Sequence, residues 1–233
     1  MFAAILSVAL TVAGNPLDSP PVFRVDTEIV VGTKKIQRST IFDGDFIIDF
    51  DPTQAATEGR YIVYDLSLTR IISVDPPNKQ QAPIACADLE RMLNELVVGL
   101  NSAQLASFGF NATVDREREG LLHVATDSFS YEVAAQREPV TGVAVQYATF
   151  ASWAARVNVL ERRGSPPFAR IKLNETLALN SEVPESIRLT RTAGGDATTI
   201  HRFSTSLTLE DQQRIRQAHQ QLDQFSVVAW DVH

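Results

Sequence analysis

Apolar and polar residues alternate along residues 22–75 with the two-residue period of half-buried strands. Phe23, Val25, Thr27, Ile29 and Val31 fall on one side, and Arg24, Asp26 and Glu28 on the other. Lys35 to Phe42 reads as the return strand, with Gly32 in the turn. Asp43-Gly44 is a short-hairpin signal, because glycine tolerates the positive φ such turns require. Asp45 to Asp51 puts Phe46, Ile48 and Phe50 on one face and Asp45, Asp49 and Asp51 on the other. Arg60 to Leu66 and Thr69 to Asp75 supply two more strands. Links this short between five strands dictate antiparallel pairing, since parallel pairs need long crossovers.

Pro76-Pro77 ends that run, and Pro76 to Pro83 is the one candidate boundary. Over 86–107 the period changes to a helical one, carried by Leu89, Met92, Leu93, Leu96, Val97 and Leu100. Strands are expected at 111–114, 121–126 and 129–135. A second helix begins near Val145 and is broken by Gly164-Ser165-Pro166-Pro167. Residues 168–179 suit either a short helix or a packed loop. Ser186–Thr192 and Thr198–Leu207 read as a hairpin around Gly194-Gly195. Thr208 caps a last helix whose first turn carries Glu210 and Asp211. Val227 to Trp230 is apolar and reads as a packed terminal strand. The sum is an α+β fold, a curved antiparallel β-sheet (an open half-barrel) with helices on its concave face.

Charge removes one class of partner. The chain has 233 residues and a formal net charge of −7. It contains no basic block and so lacks the footprint of a nucleic-acid binder. The first fourteen residues are uncharged and apolar, with Val12 and Gly14 at −3 and −1 of a cleavage point. They read as a signal peptide, leaving 15–233 as a single α+β domain in the periplasm or secreted. This run is shorter than the about 20 apolar residues of a membrane span, so the mature chain is expected not to span a membrane. Cys86 is the only cysteine and reads as a small buried hydrophobe.

Sites for chemistry are sparse. No phosphate loop and no Gly-x-Ser-x-Gly elbow occurs. His123, His201, His219 and His233 never fall at metal-ligand spacing, so neither metal nor cofactor is expected. Asp43, Asp45, Asp49 and Asp51 crowd one hairpin, but residues two apart on a strand are separated by about 7 Å, which favours a wet sheet face over a site. Asn111 and Asn174 begin glycosylation acceptor triplets.

The aromatic strand residues are more informative. Phe23, Phe42, Phe46, Phe50, Tyr61, Tyr64, Phe129 and Tyr131 are placed to line the inside of a curved sheet. Loosely applied helices would leave an apolar cavity there, and tightly applied ones a core. All but four of the 21 basic residues are arginine, suited to an anionic head group at a cavity rim.

The order of elements resembles the outer-membrane lipoprotein carrier family. The resemblance covers residues 22–135 and rests on the Asp43-Gly44-Asp45 turn followed by Arg60-Tyr61-Ile62-Val63-Tyr64-Asp65 and Ile71-Ile72-Ser73-Val74-Asp75. It implies an unclosed barrel whose apolar hollow is plugged by helices and carries acyl chains through the periplasm, with a lipid or lipoprotein as partner. No binding residue of that family can be matched here, and the helix that precedes its first strand is missing.

Two functional readings stand beside a minor enzymatic one. In the first, an exported protein binds or carries an apolar ligand, with Phe46, Phe50, Tyr64 and Phe129 contacting it. In the second, the chain is a structural or protein-interaction module without catalytic activity. Oligomeric state is left open.

Overall fold

Short turns organise the first half of the sheet. The computed structural model describes residues 20–161 and 165–230, so the expected signal peptide lies outside the described residues. Val22–Val31 (β1) pairs with Lys34–Asp43 (β2) in unbroken register, from Val22 opposite Asp43 to Val31 opposite Lys34. Phe46–Phe50 (β3) follows a two-residue turn in which Gly44 adopts φ 60°, the left-handed value such a hairpin needs. Tyr61–Asp65 (β4) and Arg70–Asp75 (β5) continue the meander.

The run does not stop at Pro76-Pro77. These prolines form a turn, closed by the Lys79 amide donating to the Pro76 carbonyl at 3.1 Å, and Gln80–Ala85 (β6) pairs back along β5. Pro83 disguises β6 in the sequence. Its missing N–H is tolerated because the strand is an edge at that point. Pro76 to Pro83 is therefore a turn and the first part of a sixth strand.

Cys86–Val97 (α1) buries Cys86, Leu89 and Leu93. The helical pattern expected through 107 is interrupted at Gly99, whose φ of 92° ends the helix. Ser102–Ser107 (α2) restarts with a reciprocal cap between Asn101 and Gln104.

A second meander comprises Asp115–Arg118 (β7), Leu121–Ala125 (β8), Phe129–Arg137 (β9), Glu182–Arg191 (β10) and Ala197–Ser204 (β11). Val143–Leu160 (α3) and Phe168–Leu179 (α4) cross over between β9 and β10, so the ambiguous 168–179 segment is a helix. Strand β7 begins after the expected 111–114 and sits at the sheet edge. Its four charged, exposed residues discourage edge-to-edge pairing.

The two meanders join where β1 pairs with β11, from Arg24 opposite Ser204 to Val31 opposite Ala197. The described residues thus form one open, curved, twelve-stranded sheet in an α+β fold. Every pairing is antiparallel except that of Ser226–Val227 (β12) beside β6.

Helices α1, α3 and α4 lie on the concave face. Phe42, Ile47, Tyr64 and Ile71 meet α1 and α3, while Leu122, Val133 and Ile187 meet α4. The last helix, Leu209–Gln224 (α5), is on the other face, against Ile41, Ile48, Phe50, Val63 and Ile72. The expectation of helices on one side only is corrected here. Ile41-Phe42, Ile47-Ile48, Val63-Tyr64 and Ile71-Ile72 are consecutive apolar residues, so β2–β5 have two dry faces and require cover on both.

Candidate functional site

The concave face changes character along β1 and β11. On β1 its inward series runs Phe23, Val25, Thr27, Ile29; on β11 the facing series runs Phe203, His201, Thr199, Ala197. Phe23, stacked on Phe42 at 4.0 Å, belongs to the core. From Thr27 and His201 onward the helices stand off the sheet. A cleft of about 290 Å³ remains between β1, β2, β9, β10 and β11 below and α3 and the start of α4 above. Small residues on α3 make this room: Ala151, Ala154 and Ala155 line the cleft at helical spacing, with Phe150 as a wall.

Its apolar lining also includes Ile29, Ile187, Leu189 and Pro167. Its charged lining is mainly cationic. Arg38, Arg170 and Arg191 face it together with a single carboxylate, Asp49. Arg38 Nη2 donates to Asp49 Oδ2 at 2.6 Å, and Thr40 Oγ1 donates to Asp49 Oδ1 at 3.1 Å. Asp49 was expected on a wet sheet face. It faces inward instead, because its side of β3 is the one beneath α3.

His201 is the buried polar centre. Its Nδ1 shares hydrogen bonds with Thr27 Oγ1 at 3.1 Å and Tyr147 Oη at 3.3 Å, and its Nε2 with Thr199 Oγ1 at 3.2 Å. Burial, aided by the positive charge of Arg170, pushes its pKa down to about 3. Burial raises the Tyr147 hydroxyl above its ordinary value. Burial thus keeps the imidazole and the phenol both uncharged at neutral pH.

No known family model and no curated protein matches the chain.

The four aromatic residues expected to touch a ligand are divided by the sheet. Phe46 stacks on His219 of α5 at 4.0 Å, and Phe50 lies beneath Arg214 at 4.0 Å, so both are on the face opposite the cleft. Tyr64 and Phe129 are on the cleft side but form its backing. Tyr64 meets the edge of Phe150 at 5.0 Å, and Phe129 meets Tyr131 at 5.6 Å. Phe150 and Tyr131 line the cleft themselves.

Sequence reasoning missed the α3 alanines and the inward-facing arginines. Small residues and arginines have no spacing that announces a cavity, although the Thr27 break in the β1 apolar series was visible.

Other candidates take structural places. Cys86 is buried, and burial raises its thiol to about 11. His123 lies on β8 between Leu122 and Val124, which meet α4, so it faces away from His201. Among the described residues no three His, Cys, Asp or Glu side chains gather as a metal set. No described helix is long and apolar enough to cross a membrane. Asn174 is fully buried on α4, donating to Ser152 Oγ at 3.1 Å, whereas Asn111 is exposed on a turn.

Proposed function

We propose that this is an exported protein that binds and carries an apolar ligand, a lipid or acyl chain, between its curved sheet and α3–α4. The reading rests above all on the cleft, whose walls of Ile29, Phe150, Ile187 and Leu189 adjoin the polar group around His201. A cavity with apolar walls and a few convergent polar groups is the usual form of a small-molecule site. Its volume lies at the lower end of the about 300–1,000 Å³ range of such sites. That size favours one chain over several. Export draws on the uncharged apolar stretch of residues 1–14. The open sheet with helices on its concave face accords with the resemblance to the lipoprotein carriers.

A protein-interaction module is the second reading. Leu96 and Val98 favour it, standing 57% and 77% exposed at the end of α1.

Native mass spectrometry of protein purified from its own host's envelope, followed by lipid extraction, separates the two. A stoichiometric lipid or acyl species is the expected result. An empty, monodisperse protein that captures a partner protein instead would overturn the carrier reading.

A further inference from the structure

We infer that the ligand of the cleft is a single-chain amphiphile with an oxyanion head, carboxylate or phosphate, seated between Arg170 and Arg191. This inference rests on the carrier reading above and specifies its ligand.

The two arginines reach the cleft from different elements, Arg170 from the first turn of α4 and Arg191 from the end of β10. Among the described residues, neither guanidinium has a carboxylate within 4 Å. The nearby Asp196 carboxylate instead takes the Arg191 backbone amide at 3.4 Å and stands 4.0 Å from Arg188. Arg191 is oriented by neutral acceptors, its Nε donating to Ser165 Oγ at 3.1 Å and its Nη1 to the Gly195 carbonyl at 2.8 Å. Arg38 differs, since Asp49 already neutralises it at 2.6 Å.

Both guanidiniums, neither paired with a carboxylate, line the same cleft as Tyr131. Their charges stabilise the ionised form of the Tyr131 hydroxyl, partly offsetting the upward shift that burial imposes. Two cations that line one cleft without a carboxylate partner leave a place there that an oxyanion would neutralise. Guanidinium forks match carboxylate and phosphate oxygens geometrically. Beyond that place Ile29, Phe150, Ile187 and Leu189 line the cleft beside the neutralised Arg38–Asp49 pair and the hydrogen-bonded His201 group, and those apolar walls are where a hydrocarbon chain would lie. The whole chain carries −7, so a distant anion is not drawn in by the overall field. Selection for an anion is local to these two side chains.

The test is titration calorimetry of the full chain at neutral pH with decanoate, monodecyl phosphate and decanol, each below its aggregation concentration. Decanoate or monodecyl phosphate should bind at least about tenfold more tightly than decanol, the tighter of the two naming the head. Arg170→Gln and Arg191→Gln should each remove about tenfold from the anion's affinity and leave decanol unchanged. Arg188→Gln, on the outward side of β10, should change neither. Circular dichroism identifies any variant that misfolds, and the other arginine variant then carries the test. Decanol binding as tightly as both anions, with the arginine variants silent, would overturn the oxyanion head but leave the carrier reading standing. Failure of all three amphiphiles to bind would overturn both.

Discussion

Arg24 on β1 and Asp211 on α5 form a 2.7 Å ion pair that ties the first strand to the last helix. Asp211 is 2% exposed, and its other oxygen accepts from the Thr208 amide and hydroxyl, both at 2.8 Å, so one carboxylate caps α5 and anchors it. Arg24 also holds Asp26 at 2.7 Å, and Ser39 donates to the same Asp26 oxygen. The amphipathic helix that follows β11 is thereby fixed in rotation and register on the outer face.

Removing that carboxylate should loosen α5. Asp211→Ala is expected to destabilise the chain by about 3 kcal/mol, through a lost cap and a broken, mostly buried ion pair. Asp211→Asn keeps part of the cap and should cost less. Urea denaturation of both variants checks the order; equal stability of Asp211→Ala and the parent would show that the pair contributes nothing.

Phe50→Ala separates the outer face from the cleft. Deleting a ring packed beneath α5 should cost about 3–5 kcal/mol. Ligand affinity, measured where the variant remains folded, should stay at the parent's value. A selective loss of affinity at unchanged stability would restore Phe50 as a contact residue.

Ala154→Leu acts in the opposite way. The side chain enters the cleft under α3, where there is room, so stability should shift by less than about 1 kcal/mol while decanoate binding is lost. Thermal melts and calorimetry on the same sample test the two halves together. Retained binding would place the ligand elsewhere.

The depressed pKa of His201 makes stability depend on pH. With a folded value of about 3 and an ordinary value of 6.5, the unfolded chain binds a proton that the folded chain refuses between those limits. Well above pH 6.5 the imidazole is neutral in both states, and its titration leaves stability unchanged. Below it, stability is lost progressively as pH falls toward 3, by roughly 5 kcal/mol at most. Denaturation of the parent and His201→Gln from pH 7 to pH 4 should show a slope shallower by about one proton in the variant. Parallel slopes would mean that His201 titrates normally.

Much of the local structure was readable along the chain. The β1–β5 meander, the Gly44 turn, the Thr208 cap and the amphipathic pattern of α1 each depend on residues close in sequence, where backbone sterics and periodicity act directly. Strand β6 was hidden because Pro83 argues against a strand unless its neighbour is known to be missing on one side. The helical pattern over 86–107 concealed the break at Gly99, since apolar spacing continues across it.

Facing was the harder matter. Alternation says that Phe46, Ile48 and Phe50 share a side, and they do; it does not say which helix will cover that side. The paired apolar residues on β2–β5 already contained the need for two covers, but only the return of α5 to the outer face determined which aromatics back the cleft and which meet that helix.

Periodicity, turn chemistry and capping, all short-range forces, thus determined from the sequence the elements and the antiparallel order within each meander. The tertiary structure alone decided the β1–β11 seam, the side taken by each helix and the gap beneath Ala151, Ala154 and Ala155 that Arg170 and Arg191 also line. Those features arise from contacts between residues far apart in the chain, and a cavity is a property of what fails to fill the space between them.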